Sequence, residues 1–439
     1  VPDGTSSRDE DAGDARAGHH TSDAEAALLP PAIDWRATGL VVAFSAAIQA
    51  AAWAVLYVLF GVVRIAYDFF DISDIANRYH TYALYMAQGL APYKDFFIEY
   101  PPLFVPLLLA AGDPAGEANF VYRFAALMVL FMIATGVTTA IASIEDAHPL
   151  RPYAVAAVFS VLTVALGPIS ANRYDAVVAF VLALTLLFMM RGTWEAAGIA
   201  LGLGFALKIT PAMLLPVVLI LAPSGRAVRA LAGFAVAAVI PFAWVLASGG
   251  QSGLSLWEMI GYHLSRPLEI ESVLATPLWI ARLAGAITVK VANTAGSQVI
   301  QSPTADIVAT LSAVALLVAL GATYWLVWRR RARVAANPRL IALAALATIL
   351  ASLVGSKVLS PQYFVWTLPA VALVALDRRV LGGLLGGALL LTQILFPANY
   401  WAFALSQVPG TIAIVIARNL LLVAAFGLSL WELSRVPRT

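Results

Sequence analysis

From residue 37 to near the C-terminus the chain is a succession of long apolar runs broken by short polar stretches. A bilayer core needs about 20 apolar residues per helix. Backbone groups inside lipid must also pair within their own segment, so runs of this kind predict helices rather than strands. Twelve are predicted, at 37–63, 119–143, 152–168, 174–190, 194–208, 210–222, 228–248, 304–328, 340–356, 361–376, 379–396 and 409–431. The pair 194–208 and 210–222 reads equally as one hairpin kinked around Pro211. The predicted fold class is an all-α polytopic membrane protein.

Residues 1–35 break this pattern. Ser, Asp, Glu and Gly dominate, with almost no large apolar residue before Leu28. Such a segment buries too little surface to order itself, and a disordered cytoplasmic tail is predicted, with His19 and His20 solvated in it rather than binding metal. No cleavable signal peptide is expected, because the first apolar run starts late and is long enough to span. The remainder, 36–439, reads as one transmembrane domain. Its parts are 36–248 with the first long loop, a second long loop at 249–303, and C-terminal helices at 304–439.

Arginine positions orient the spans. With the N-terminus inside, the short inner loops hold Arg151, Arg191, Arg226, Arg229, the group Arg329, Arg330, Arg331 and Arg333, then Arg339, Arg378 and Arg379. Arg435 and Arg438 put the C-terminus inside as well. Stretches 64–118 and 249–303 then face outward. The four lysines, Lys94, Lys208, Lys290 and Lys357, all fall on the outer side or its boundary, against the usual bias. An anionic ligand there is the simplest reason.

Composition supports the membrane reading and narrows the function. Of the 439 residues, 61% are hydrophobic and 12% charged, whereas soluble domains carry roughly 45–50% and about 25%. A net charge of +2 provides no field for a nucleic-acid partner. With no cysteine there is neither a disulfide framework nor a thiolate site.

The polar residues that stand out cluster in the predicted outer segments. The first loop carries Asp68, Asp71 and Asp74 directly after the first span, then Gly89-Leu90-Ala91-Pro92-Tyr93-Lys94-Asp95 and Glu99-Tyr100-Pro101-Pro102-Leu103. The spacing of Ile75, Tyr79, Tyr82, Leu84 and Met86 predicts a helix lying on the bilayer surface. Residues 101–111 predict a second interfacial or re-entrant piece. Cationic segments elsewhere on that face are Asn172-Arg173-Tyr174-Asp175, Leu207-Lys208-Ile209-Thr210-Pro211, Tyr262-His263-Leu264-Ser265-Arg266 and Ser356-Lys357-Val358-Leu359-Ser360-Pro361-Gln362-Tyr363. Singly, each could be a solvated loop charge or a side chain snorkelling to the headgroups. Together they predict a shared cavity, since charges at membrane depth line cavities rather than face lipid. Arg418, halfway along the last span, is expected to pair inside the bundle.

These segments together resemble the GT-C superfamily of integral-membrane glycosyltransferases, and within it glycosyltransferase family 87. The carrying residues are Ser73-Asp74-Ile75, Gly89…Pro92-Tyr93-x-Asp95…Glu99-Tyr100-Pro101-Pro102-Leu103, Arg173-Tyr174-Asp175, Gly204…Leu207-Lys208-x-x-Pro211, Arg266…Glu271-Ser272 and 356–363. The resemblance runs from about residue 36 to the end. It implies a GT-C fold of about twelve transmembrane helices, interfacial helices in the first outer loop, and a plasma-membrane enzyme with its site facing outward. The implied partners are a polyprenyl-phosphate sugar donor, a glycan or glycolipid acceptor and the bilayer. No cofactor or metal is expected. The alanine- and arginine-rich, lysine-poor composition fits an actinobacterial chain, which makes mannose the expected sugar and arabinofuranose the second.

The family keeps its acidic residue just after the first span. Asp74 matches best, with Asp71 and Asp68 as alternatives and Glu99 as a further acid. The expected chemistry is an inverting displacement in which that acid takes a proton from the acceptor hydroxyl. Arg266, Lys208, Lys357, His263 and Arg173 are the candidates for the donor phosphate, where charge develops as the lipid leaves. Tyr100 and Gln362 are candidate sugar or loop-bracing contacts, although Tyr100-Pro101-Pro102 also reads as an architectural turn. A carrier that moves a lipid-linked substrate without chemistry is the rival reading. Transporters often show paired inverted halves, and no such pairing is visible here.

Overall fold

The computed structural model describes residues 35–67, 73–145, 147–247, 253–294 and 296–437. All but the last residue of the predicted tail lies outside them, as do Asp68 and Asp71. The described residues before Leu40 contribute only the start of the first helix, and residues 40–437 form the compact unit that carries the site.

Each of the twelve predicted segments is helical. Among the described residues six helices are long and apolar enough to cross a membrane: Arg36–Ala66, Glu117–Ala142, Ser224–Ala247, Pro303–Arg329, Pro338–Gly355 and Pro409–Arg435. The other six, from Arg151–Leu166 to Arg379–Leu395, are shorter apolar helices of 10–17 residues. Thr210–Leu221 starts as a 3-10 turn and becomes α-helical at Leu215, a break that follows from Pro211 and Pro216. The chain is thus a multi-pass membrane protein.

Starts and contacts of the helices follow local chemistry. Pro303, Pro338 and Pro409 open their helices, where a missing N–H costs nothing. The side chains of Ser302 and Asn337 accept from the backbone N–H groups of Ala305 and Arg339. Helix Pro338–Gly355 is buried along almost its whole length, from Ile341 to Leu353. Helix Pro303–Arg329 instead presents Ile307, Leu311, Val314, Leu317 and Val318 outward, as a lipid-facing helix does. Glycines let Trp194–Leu207 press against Ser224–Ala247: a Cβ at Gly198 would stand 2.1 Å from the Ala230 carbonyl oxygen. Close backbone approach through small residues is a common means of packing helices in lipid.

Segments predicted to share the inner side meet at one end of the bundle. Arg151 and Arg339 are joined through Glu145 and Asp377, with Arg151–Asp377 at 2.6 Å and Arg339–Glu145 at 2.8 Å. Arg378, next in the chain to Asp377, pairs with Glu432.

The predicted loops hold more structure than expected. After Asp74 comes a π-helical turn, Ile75–Tyr79, then helix His80–Ala87. Ile75, Tyr79 and Ala83 are buried against protein, so this helix has a packed inner face. Pro102–Phe104 forms a 3-10 turn before the short helix Val105–Ala110. The second loop contains helix Gly253–Ser265, the helical stretch Val273–Leu283 and an antiparallel hairpin of Lys290–Thr294 with Ser297–Gln301. That hairpin corrects the all-α expectation. Its β-branched residues are few and interrupted by polar ones, so the strand periodicity is too weak to read from sequence.

Candidate active site

The polar segments converge on one cavity of about 770 Å³. Asp74, Arg78, Glu99, Tyr100, Lys208, His263, Arg266, Lys357 and Gln362 all line it. They come from positions almost 300 residues apart, on helix ends such as Lys208 and on the polar stretches between helices. Of the predicted site residues, Arg173 stands behind the wall on Asp74, and Asp71 lies outside the described residues. One wall is made by Ala309, Ala313 and Leu316 of helix Pro303–Arg329 with Leu353 and Gly355 of Pro338–Gly355. The cavity therefore borders the lipid-facing helix.

Asp74 precedes the π-helical turn, anchored by its neighbour Ser73, whose hydroxyl donates to the Ala66 carbonyl and accepts from the Ile75 N–H. The Asp74 Oδ2 lies 2.8 Å from Arg173 Nε. The carboxylate is partly exposed at 28%, while the arginine is almost fully buried. Arg173 also donates to both the backbone and side-chain oxygens of Asn172, at 2.8 and 3.0 Å. The guanidinium is fixed from behind and holds the acid at the cavity surface.

Glu99 is differently placed. It is buried, pairs with Arg78 and accepts from the Tyr82 hydroxyl. Burial and the Glu99 charge both push the Tyr82 phenol up, which keeps it a donor. Burial opposes the charge on Arg78, but Tyr100, Glu99 and Asp74 outweigh it and raise that group. Glu99 thus braces Arg78. The Pro92-Tyr93-x-Asp95 stretch is a built turn: Tyr93 takes a left-handed φ of 65° and its hydroxyl donates to the Tyr100 carbonyl at 2.7 Å. Asp95 accepts from the Ala91 N–H at 2.8 Å. Tyr100 is packed edge-on to Tyr79 and Tyr174, leaving its outer edge on the cavity.

The cations divide into two kinds. Lys208 Nζ lies 2.6 Å from Asp175, which also accepts from Trp366 Nε1 at 2.7 Å. The ammonium is 4.9 Å from each of the rings of Tyr174, Tyr363 and Trp366. Lys208 is therefore neutralised and caged. Arg266 and Lys357 are not. Arg266 Nη2 donates to Ser297 Oγ at 2.8 Å, its Nε is buried without a hydrogen-bond partner, and Lys357 Nζ donates to the Leu264 carbonyl at 2.6 Å. Among the described residues neither has a carboxylate within ion-pair distance. Burial opposes the charge on Arg266, but the more distant Glu269 together with Tyr363 and Tyr262 outweighs it and raises that group. Burial and the neighbouring Arg266 both lower Lys357. His263 is lowered by burial, with Arg266 and Lys208 adding to that, so it is neutral near pH 7; a ring nitrogen lies 3.1 Å from the Glu99 carbonyl.

Asp175, Arg78 and the tip of the hairpin are parts of the site to which sequence reading assigns no role. Asp175 is legible as the charge two residues past Arg173, but not as the partner of Lys208. The hairpin tip is hidden altogether: Gly296 lies so close to the Arg78 guanidinium that a Cβ there would clash, and Ser297 receives Arg266. Among the described residues no three His, Asp or Glu side chains gather as metal ligands.

The model of glycosyltransferase family 87 matches residues 97–361, more than half of the chain. This chain belongs to glycosyltransferase family 87. As a family 87 member with several membrane-crossing helices, it is a membrane glycosyltransferase. The matched region contains Glu99, Arg173, Lys208, His263, Arg266 and Lys357 and stops beside Gln362; Asp74 precedes it. No curated protein sequence matches the chain significantly. Among solved structures, the crystal structure of ArnT from Cupriavidus metallidurans bound to undecaprenyl phosphate is 14% identical, covering 86% of this chain and 76% of that one with a TM-score of 0.43. A likeness of that degree assigns nothing to this family 87 chain.

Proposed function

We propose that this family 87 enzyme moves a sugar, mannose first, from a polyprenyl-phosphate donor to a hydroxyl of a glycan or glycolipid acceptor at the outer face of the plasma membrane. The observation that carries the reading is the pair Arg266 and Lys357. Two cations face one cavity, both partly withdrawn from water, and among the described residues no carboxylate lies within ion-pair distance of either. An anion of the size of a phosphate monoester would satisfy both, and the cavity's border on Pro303–Arg329 gives a lipid tail a path to the bilayer.

The reaction is a single displacement. The acceptor oxygen bonds to the anomeric carbon, the bond from that carbon to the phosphate oxygen breaks, and the acceptor proton passes to Asp74. Carboxylates are weak bases, so the proton moves late, as attack acidifies the hydroxyl. Arg266 grips the departing phosphate through more than one N–H, Lys357 adds a point charge, and neutral His263 contributes a hydrogen bond. Arg173 and Lys208, already paired, act as background charge. Tyr100 and Gln362 border the sugar. The proposal includes a GT-C architecture with both termini cytoplasmic.

Purified enzyme in nanodiscs, given polyprenyl-phosphate mannose and a membrane glycolipid fraction, should release polyprenyl phosphate and build a mannosylated lipid. Release from polyprenyl-phosphate arabinofuranose alone would replace the sugar but keep the chemistry. Transfer of labelled donor across the bilayer with no bond broken would replace the enzyme reading by that of a carrier.

A further inference from the structure

Arg418 has no role in the reaction as drawn, yet it occupies the costliest position in the molecule. It lies nine residues along helix Pro409–Arg435, roughly 14 Å from the helix start, and is fully buried. A buried ion pair is weak evidence for stability, because apolar residues of similar volume often serve as well or better. Its presence there needs another explanation.

The guanidinium reaches out of the bundle to the second loop. Nη1 donates to Glu271 Oε2 at 2.5 Å and Nη2 to the Glu271 carbonyl at 2.7 Å. Asn419, which accepts from Arg418, donates to the Ser272 carbonyl at 3.2 Å and to Thr276 Oγ1 at 2.9 Å. From this anchored segment a second set of bonds runs to the other cationic loop. Ser272 Oγ donates to the Ser356 carbonyl at 2.8 Å, the Glu269 N–H to the Lys357 carbonyl at 3.0 Å, and Ser360 Oγ to Glu269 Oε1 at 2.9 Å. Lys357 closes the circuit on the Leu264 carbonyl, two residues before Arg266. The loops carrying Arg266 and Lys357 are thus laced together, and Arg418 and Asn419 tie them to helix Pro409–Arg435.

We propose that Arg418 is a positioning residue: through Glu271, and through Asn419 on Ser272, it holds the 264–272 and 356–360 loops so that Arg266 and Lys357 meet one phosphate. The proposal rests on the reading of those two cations as the donor-phosphate site. Two cations that repel each other drift apart unless their backbones are fixed, and a guanidinium that grips both a side chain and a main-chain carbonyl fixes position as well as charge.

The test compares dissociation constants of the nanodisc-held enzyme for a polyprenyl monophosphate and for the corresponding polyprenol. Their ratio isolates recognition of the phosphate from general effects on the lipid groove. Arg266→Ala should collapse the ratio. The double variant Arg418→Met, Glu271→Met removes the Arg418–Glu271 tie without stranding a buried charge, and should lower the ratio about tenfold while polyprenol affinity stays within about twofold. Arg418→Lys, which keeps the charge but reaches fewer acceptors, should lower it less. If Arg266→Ala collapses the ratio and neither Arg418 variant lowers it, the positioning role is wrong and the phosphate reading stands. A ratio unmoved by Arg266→Ala overturns both. Equal loss of polyprenol and phosphate affinity in the Arg418 variants makes that residue merely structural.

Discussion

Arg173 Nε stands 2.8 Å from Asp74 Oδ2, so the acid proposed to accept the acceptor's proton is held by a guanidinium that is itself held by Asn172. A fixed carboxylate loses little freedom when the acceptor arrives, which is the condition for an effective positioned base. Asp74→Asn should cut turnover by about 10²–10⁴-fold, the usual contribution of a positioned acid or base. Binding of the polyprenyl-phosphate donor should be almost unchanged. Retained turnover would transfer the role to Asp71 or Asp68.

Glu99 lines the cavity together with Asp74 and Asp306, and its two partners give it a different task from Asp74. Glu99→Gln leaves the Tyr82 contact possible but weakens the hold on Arg78. The expected loss in kcat is about tenfold or less, well short of the range for removing a base. Single-turnover rates of the Asp74→Asn and Glu99→Gln variants, measured side by side, rank the two acids.

Lys357 sets the alkaline limit of donor binding. Burial and Arg266 lower its titration, so its charge is lost at lower pH than that of an ordinary lysine, while arginine remains charged. Donor affinity should therefore weaken with rising pH on the alkaline side, and Lys357→Arg should move that limb upward. His263, lowered and already neutral, should add no step between pH 7 and 8. A limb unmoved by Lys357→Arg would remove this lysine from the phosphate site.

Gly296 occupies a left-handed turn, φ +67°, with the Arg78 guanidinium against it. Gly296→Ala meets both backbone strain and a collision with Arg78. Loss of stability by about 1 kcal/mol or more is expected from the turn alone, together with reduced kcat/KM from the displaced arginine. Thermal unfolding and initial rates separate the two effects. Unchanged rates in a destabilised variant would mean that the hairpin tip does not bear on the site.

Particular residues show why some of this is legible in the chain. Asp74, Lys208, Arg266 and Lys357 each stand near the end of an apolar run or in the polar stretch beyond it, and helices stacked in a bilayer bring such ends to common levels. Arg418 is legible because a charge in the middle of an apolar span must find a partner. Glu271 as that partner is not, since 147 residues separate the two. Lys208 looks like Lys357 in sequence, and only the fold gives one of them Asp175 and leaves the other without an acid partner among the described residues.

The sequence by itself determined the membrane helices, the end of the bundle where polar chemistry gathers, and the residues that resemble family 87. The first two follow from hydrophobic run length and from the cost of charge in lipid, and the resemblance from short motifs, all of which are local properties. Tertiary structure decided which cations are neutralised, which acid is a brace, and that a hairpin closes over Arg78 and Arg266. Those outcomes depend on distances of a few ångströms between segments far apart in the chain, and pairing at that range is set by packing rather than by any neighbour in sequence.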